Sequence, residues 1–369
     1  MLRRMSTEYA PARLSVAPMM DWTDRHYRYM MRLITRRTLL YTEMVVDATL
    51  MHQKHNLDYF LGHDSLEHPL ALQLGGSNPA MLGEVAKMAE SYGSFHEINI
   101  NVGCPSPKVS KNCFGARLML DPAHVRDICH EMRRQVTSTP ITVKCRLGVD
   151  DFDSYEYLHE FVATVQTSGV TEFTVHARKC WLDGLRLSPH ENRTVPALNY
   201  DFVGRLKADF PHLRIMLNGG VSSIQHAHEL LQDPSLQVDG IMIGRAAYNT
   251  PWNFRDADRL HFGVPNPGLS RRQVVAAYLD YADDMQAKWG SVRKPGQYAM
   301  PTSLLMKPLL NLFNGEFGGK AVKRHVAQRW ADRQGEQLEL RDLVETAMEE
   351  CIPAAVLDAT CDDDDDIVD

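Results

Sequence analysis

The sequence contains no long hydrophobic run and no apolar stretch near its start. No segment of about 18 consecutive apolar residues occurs, so no transmembrane helix and no membrane partner are expected. Residues 1–13 form an Arg-bearing leader without the apolar core of a secretory signal. We therefore expect a cytoplasmic protein rather than an exported or organellar one.

Cysteine and histidine are present, but not in patterns that bind metal. The seven Cys include no CxxC pair, and their odd number does not suit a disulfide framework. The sixteen His are scattered and include no HExxH. These patterns indicate a reducing compartment and predict neither a disulfide scaffold nor a zinc site.

The acidic excess is local. The formal net charge is -7, yet residues 352–369 alone contain seven Asp and no Lys or Arg. Residues 286–333 carry nine basic and two acidic side chains, a net charge of +7. An acidic total therefore does not exclude an anionic partner. We expect residues 351–369 to form a disordered acidic tail.

Eight short, β-rich apolar runs recur before residue 245, and helical patterns separate most of them. The runs are 14–20, 38–45, 69–76, 96–101, 140–146, 172–178, 214–220 and 240–245. Asx-Pro pairs at 78–79 and 121–122 are typical helix starts. Apolar strands alternating with helices predict a (β/α)8 TIM barrel over 14–261. A doubly wound sheet is the alternative, but APMMDWTD after the first strand is not GxGxxG.

The character of the chain changes after the barrel pattern. Residues 262–268 read as a Pro/Gly linker, and 270–289, 301–313, 318–333 and 338–350 read as amphipathic helices. We predict a smaller, all-helical domain over 269–350.

A sharp turn follows the fourth strand. In NVGCPSPKV (101–109), Gly103 and Pro105 enclose Cys104. A free Cys is most often a small residue buried in a hydrophobic core, but a Gly-Cys-Pro turn has few side chains that could pack into one. Cys is a nucleophile and also an acid with a pKa near working pH, so the loop predicts a catalytic thiol.

Glycines end the last two strands. Asn218, Gly219 and Gly220 follow strand seven, while Gly244 and Arg245 follow strand eight. Barrels often hold a phosphate there on backbone N–H groups, and Arg245 adds a charged fork. The two motifs together predict a phosphorylated ligand.

Polar residues also end strands three, five and six: Gln73, Lys144 and His176. Lys144 fits a Schiff-base lysine, a positive charge beside a flavin ring, or a salt-bridged structural residue. A phosphate site and cationic residues facing the barrel centre together favour FMN. The segment Pro18, Met19 and Met20 would then lie against the ring.

These residues carry a family resemblance. APMMDWTD, LQLGG, EININVGCPSPKV, VKCRLG, FTVHAR, NGG and IGR resemble, in order and spacing, the tRNA-dihydrouridine synthase family over about residues 13–335. HARKCWLDGLRLSPHENR (176–193) is similar to the A-type branch, which acts on D-loop uridines at tRNA positions 20 and 20a. Residues 184–193 are about two residues longer than the usual pattern. Lys307 stands where the family usually has a tRNA-contacting Arg.

The resemblance implies an FMN-binding barrel and a helical RNA-binding domain. With NADPH as reductant, hydride from reduced FMN goes to C6 of a uracil in tRNA, and Cys104 protonates C5. Asn101 is implied to hydrogen-bond the uracil. The implied FMN residues are Pro18, Met19, Met20, Gln73, Lys144, His176, Asn218, Gly219, Gly220, Gly244 and Arg245. Candidate tRNA contacts, taken from the resemblance and the basic segment, are Arg178, His190, Arg193, Lys307, Lys323 and Arg324.

Three alternatives stay open at this point. One is an FMN barrel that reduces a free pyrimidine, although a free metabolite does not need a basic segment such as 286–333. Another is an inactive RNA-binding homologue, which the intact set of Cys104, Lys144 and His176 argues against. The third is a Schiff-base aldolase at Lys144. We expect a monomer.

Overall fold

The computed structural model describes residues 12–106, 109, 113–182, 187–292, 298–332 and 339–360. The described chain divides into two compact units. One contains the chain up to Asp21 together with Thr38–Gly244, and we call it the barrel unit. The other contains Trp22–Arg37 together with the chain from Arg245 onward, and we call it the helical unit.

The barrel unit is built on eight parallel strands. They are β1 (Leu14–Val16), β2 (Leu39–Val46), β3 (Leu70–Gly75), β4 (Glu97–Asn101), β5 (Ile141–Arg146), β6 (Glu172–His176), β7 (Arg214–Asn218) and β8 (Gly240–Ile243). Each strand pairs with the next, and β1 pairs with β8 to close the barrel. Seven of the eight predicted apolar runs contain one of these strands and the run 38–45 covers all of β2 but its last residue, so the predicted (β/α)8 architecture is confirmed.

The α-helices of the described chain show where sequence signals act locally. They are α1 (Arg25–Ile34), α2 (Asp47–His52), α3 (Leu57–Phe60), α4 (Pro79–Tyr92), α5 (Pro122–Gln135), α6 (Tyr155–Gln166), α7 (Tyr200–Asp209), α8 (Ile224–Gln232), α9 (Arg245–Asn249), α10 (Ala257–Phe262), α11 (Arg271–Trp289), α12 (Thr302–Met306), α13 (Gly319–Asp332), α14 (Leu340–Cys351) and α15 (Ala354–Asp358). Asn78 and Asp121 cap α4 and α5 through side-chain oxygens, and Pro follows each cap. No helix among the described residues combines the length and apolarity needed to span a membrane.

Short 3-10 turns complete the described elements. They are Lys54–Asn56, Ser65–Glu67, Gly115–Leu120, Glu191–Arg193, Pro251–Phe254 and Leu309–Asn311. The last of these lies in the predicted helix 301–313, which is instead α12 followed by this separate turn. Pro308 lies between them, and because proline has no N–H it cannot continue the helical hydrogen bonding.

The chain leaves the barrel unit after β1 to contribute α1 to the helical unit. In α1, Tyr27, Met30 and Met31 are fully buried. The ring of Tyr29 stacks on Tyr281 of α11 with centroids 3.9 Å apart. This inserted helix is therefore part of the core of the helical unit.

The end of the described chain is also helical. A disordered tail was predicted from residue 351, whereas α15 begins at Ala354 and buries Leu357 completely. Asp358 forms an ion pair with Arg272 of α11 at 2.6 Å. Burial of Leu357 and this pairing explain the order of 354–358, and residues 361–369 lie outside the described chain.

Candidate active site

Asn101, the last residue of β4, holds the loop that carries Cys104. Its Oδ1 accepts the N–H of Gly103 at 3.1 Å and that of Cys104 at 3.0 Å. The carbonyl of Cys104 accepts the N–H of Ala116 at 2.9 Å. The thiol-bearing residue is half-buried. The loop is thus fixed by backbone hydrogen bonds while Cys104 stays partly open to solvent.

Arg146, the last residue of β5, was not among the predicted site residues. It is 2% exposed, and its Nε donates to the carbonyl of Gly103 at 2.8 Å. One of its Nη atoms donates to the carbonyls of Lys179 and Asn192. Arg146 therefore ties the Cys104 loop to the loop after β6. Its only sequence signal is that it is a second charged residue in β5, two places after Lys144.

Lys144 and Asn218 form a pair across the barrel interior. The Nζ of Lys144 donates to Oδ1 of Asn218 at 3.0 Å, and Nδ2 of Asn218 donates to the carbonyl of Met242 at 2.8 Å. Because Asn218 must donate to that carbonyl, its oxygen faces the lysine. Burial, followed by the charge of Arg146, lowers the pKa of Lys144 to about 8. The ammonium is therefore the predominant form at pH 7.

His176 ends β6 in register with Asn218 of β7 and Arg146 of β5. Burial and the positive charges of Arg146 and Lys144 hold the pKa of His176 well below its ordinary value. The imidazole is therefore neutral at pH 7, and it can serve as both a hydrogen-bond donor and an acceptor.

Two successive glycines after β7 form a backbone cradle. Gly219 and Gly220 both have positive φ, at 106° and 74°. A Cβ at Gly219 would lie 2.5 Å from Cδ2 of His176, so the backbone there packs closely on the imidazole. Consecutive backbone N–H groups in such a conformation bind anions, and this cradle fits a phosphate. If Gly244 carried a Cβ, the nearest atom beyond its chain neighbours would be the Cβ of Ala17, at 3.9 Å. Arg245 follows Gly244 as the first residue of α9.

Gln73 and the segment after β1 complete the predicted flavin residues. Gln73 is 1% exposed and lies in β3, in register with Asn99 of β4. Pro18 and Met19 are half-buried, while Met20 is 54% exposed. Gln73 is thus part of the barrel interior, and Met20 offers an apolar side chain to solvent.

Three predicted tRNA contacts, Arg178, His190 and Arg193, lie in the loop after β6. The two arginines donate hydrogen bonds to backbone carbonyls of this loop, and the histidine is exposed. Arg178 donates through Nη1 to the carbonyls of Thr194 and Pro196. Arg193 donates through Nε to the carbonyl of Pro189 at 2.9 Å, and His190 is exposed. The two arginines therefore also stabilise their own loop.

The other three lie in the helical unit. Lys323 of α13 donates to Oδ1 of Asn311 at 2.9 Å, and burial lowers its pKa. Lys307 is half-buried and Arg324 is exposed. Of the basic segment 286–333, Arg293, Lys294 and Arg333 lie outside the described residues.

A thiol, an ammonium and a neutral imidazole lie at or near the carboxyl ends of parallel barrel strands, which is where enzymes of the (β/α)8 class hold their active sites. The chain matches the family described as dihydrouridine synthase over residues 15–350. It is 44% identical over 329 residues to a tRNA-dihydrouridine(20/20a) synthase of Vibrio vulnificus, covering 89% of this chain and 94% of that protein. The chain belongs to the dihydrouridine synthase family, which confirms the predicted resemblance.

A second curated relative and one solved structure are also similar to this chain. The tRNA-dihydrouridine(20/20a) synthase of Escherichia coli K12 is 44% identical over 317 residues, which cover 86% of each chain. The solved structure of morphinone reductase is 10% identical, with a TM-score of 0.48, and the match covers 69% of this chain and 87% of that one. The likeness to morphinone reductase is too low to bear on function.

Proposed function

We propose that this protein reduces the C5–C6 double bond of uridines at positions 20 and 20a of tRNA, with FMN as cofactor and NADPH as reductant. The observation that carries the proposal is the Cys104 loop, held by Asn101 and Arg146 at the barrel end that also contains Lys144 and His176. The names of the similar synthases support the substrate and the positions.

The residues present fit FMN. The Gly219–Gly220 cradle suits its phosphate, and the ammonium of Lys144 suits a ring that gains negative charge on reduction. The residues that would hold it are Pro18, Met19, Met20, Gln73, Lys144, His176, Asn218, Gly219, Gly220, Gly244 and Arg245. When bound and reduced by NADPH, FMN would supply the hydride that C6 of the uracil receives.

Cys104 supplies the proton. Addition of hydride at C6 leaves negative charge on C5 and O4 of the uracil, and a nearby thiol can neutralise it by giving its Sγ proton to C5. Asn101 would hydrogen-bond the uracil, and N–H donors around the oxygen stabilise the enolate-like charge. The half-buried position of Cys104 suits a group that must meet a base entering from solvent.

The helical unit would bind the tRNA backbone. Lys320, Arg324 and Arg329 are exposed on α13. Exposed cations on one helix, with Lys320 and Arg324 one turn apart on the same face, provide an electrostatic footprint for phosphates. The target base must leave its stack to enter the barrel, which costs a few kcal/mol and less in a loop than in a stem. A D-loop uridine suits this requirement, with Arg178, His190, Arg193, Lys307 and Lys323 as further candidate contacts.

The test is Cys104→Ala. We expect this variant to keep FMN and tRNA affinity but to form dihydrouridine at least about 100-fold more slowly, because the proton donor is lost. Cys351→Ala, at another half-buried thiol in the helical unit, is the control and should match the wild type. Dihydrouridine is mapped by mass spectrometry in unmodified tRNA and, in parallel, in free uridine. Normal turnover by Cys104→Ala, or reduction of free uridine at the same rate as tRNA, contradicts the proposal.

A further inference from the structure

A line of buried polar side chains crosses the inside of the barrel. It runs from the Cys104 loop through Asn101, Gln73, Asn99 and Thr142 to Glu97. The strand register dictates the central part, because Gln73 pairs with Asn99 and Asn99 pairs with Thr142 on successive strands. The last four of these residues are at most 4% exposed. Water therefore has little part in orienting their side chains.

The hydrogen bonds along this line all point the same way. Nδ2 of Asn101 donates to Oε1 of Gln73 at 2.8 Å, and Nε2 of Gln73 donates to Oδ1 of Asn99 at 2.8 Å. Nδ2 of Asn99 then donates to Oγ1 of Thr142 at 2.9 Å. The hydroxyl of Thr142 donates to Oε1 of Glu97 at 2.8 Å. We call this the amide chain.

The two ends of the amide chain fix its direction. At one end, Oδ1 of Asn101 must accept two backbone N–H groups, which cannot reverse. At the other end, Oε1 of Glu97 accepts from the hydroxyls of both Tyr41 and Thr142, so the oxygen of Thr142 is left to accept from Asn99. Rotating any one side-chain amide by 180° would place a donor against a donor on one side. All three amides must therefore reverse together or not at all.

We propose that Asn99 and Thr142 are positioning residues that fix the amide orientations of Gln73 and Asn101, and through Asn101 the Cys104 loop. Neither residue belongs to the FMN, uracil or tRNA sets named above. Their effect reaches the site through two hydrogen bonds, which Gln73 donates to Asn99 and Asn99 donates to Thr142.

The orientation also determines what the site recognises. An amide nitrogen has two hydrogens, and Gln73 and Asn101 each use one within the amide chain. Each keeps one N–H for a ligand, while the oxygen of Asn101 is occupied by backbone N–H groups. Both residues thus have an amide N–H left to donate, which favours ligand atoms that accept, such as carbonyl oxygens. That these acceptors belong to FMN and uracil rests on the proposed function.

The test removes one hydroxyl without changing side-chain shape. Thr142→Val deletes the acceptor of Asn99, and Thr142→Ser restores it. Thr174→Val is the matched control, since Thr174 is a 2% exposed barrel threonine on the next strand whose side chain hydrogen-bonds Tyr41 and not a side-chain amide of the amide chain. The first readout is the alkylation rate of Cys104 by iodoacetamide in the full-length protein, followed by peptide mass spectrometry. The second is the dissociation constant of FMN, measured by fluorescence as the holoenzyme is diluted.

We expect Thr142→Val to raise both the alkylation rate and the FMN dissociation constant about fivefold, the effect of one lost hydrogen bond. Thr142→Ser and Thr174→Val should stay near the wild type. Equal effects of valine at 142 and 174, or failure of serine to restore either value, would overturn the proposal. If Thr142→Val does not fold, Thr142→Ala and Thr174→Ala replace the pair. Neither readout involves tRNA or reduction, so failure here is distinct from failure of the proposed function.

Discussion

The stability of the protein should rise when Lys144 loses its charge. Burial and the nearby Arg146 lower the pKa of Lys144 from 10.5 to about 8. A difference of this size corresponds to about 3 kcal/mol of unfavourable free energy for the ammonium in the folded state. Because the side chain is only half-buried, solvent screening leaves about 2–3 kcal/mol. The Lys144→Met variant also loses the hydrogen bond to Asn218, which offsets about 1 kcal/mol.

The net expectation is that Lys144→Met is more stable than the wild type by about 1–2 kcal/mol at pH 7. The sign depends on pH. Between about pH 8 and 10.5 the unfolded chain holds a proton that folded Lys144 has released, so wild-type stability rises with pH across this window. The stability advantage of the variant is therefore complete below pH 8 and is lost as the pH rises from about 8 towards 10.5.

Urea denaturation of flavin-free protein at pH 7 and at pH 9.5 measures this difference. Lys207→Met is the control, because Lys207 forms an ion pair with Asp239 at 2.9 Å and its removal should not stabilise. A Lys144→Met variant no more stable than the wild type at pH 7 would refute the reasoning. So would a stability difference that is the same at both pH values. FMN affinity should fall in the same variant, since the proposed function gives the ammonium a role beside the flavin.

Two further predictions concern charge elsewhere in the molecule. Burial and the neighbouring Glu172 raise the pKa of Glu97, so folded stability is lost as pH rises above the ordinary range of a carboxyl. Glu97→Gln should therefore leave stability unchanged at acidic pH and increase it above pH 8. Thermal unfolding measured across this pH range tests the prediction, and a variant less stable than the wild type at every pH contradicts it. In the helical unit, Lys320→Glu with Arg324→Glu should weaken tRNA binding and lower the slope of log affinity against log salt by up to about 2, whereas Lys87→Glu with Arg134→Glu should not. Equal slopes for both double variants in filter-binding titrations would refute a tRNA surface on α13.

Much of the barrel could be predicted from the sequence because its signals are local. Near-continuous apolar runs marked all eight strands, and Asn78 and Asp121 marked the starts of two helices. Cys104 stood out because a Gly-Cys-Pro turn after a strand has little use in packing. These signals depend on neighbouring residues only, so they can be read without the fold.

The remaining features depend on contacts between distant segments. Arg146 looks like any strand-end cation until the carbonyls of Gly103 and Asn192 come within reach. The direction of the amide chain follows from the register of β3, β4 and β5, which no single strand reveals. The break at Pro308 was readable in principle, but the apolar pattern of 301–313 outweighed it.

The contribution of α1 to the helical unit limits how this family can exchange parts. Tyr27, Met30 and Met31 belong to the helical core, but they are encoded between β1 and β2. A single genetic crossover near residue 262 would replace the C-terminal helices but keep the original α1. The new helices would then pack against an α1 that did not evolve with them, and the core of the helical unit would be mismatched. The burial of these side chains therefore favours inheritance of both units together, and swapping of substrate-binding regions would need two coordinated replacements.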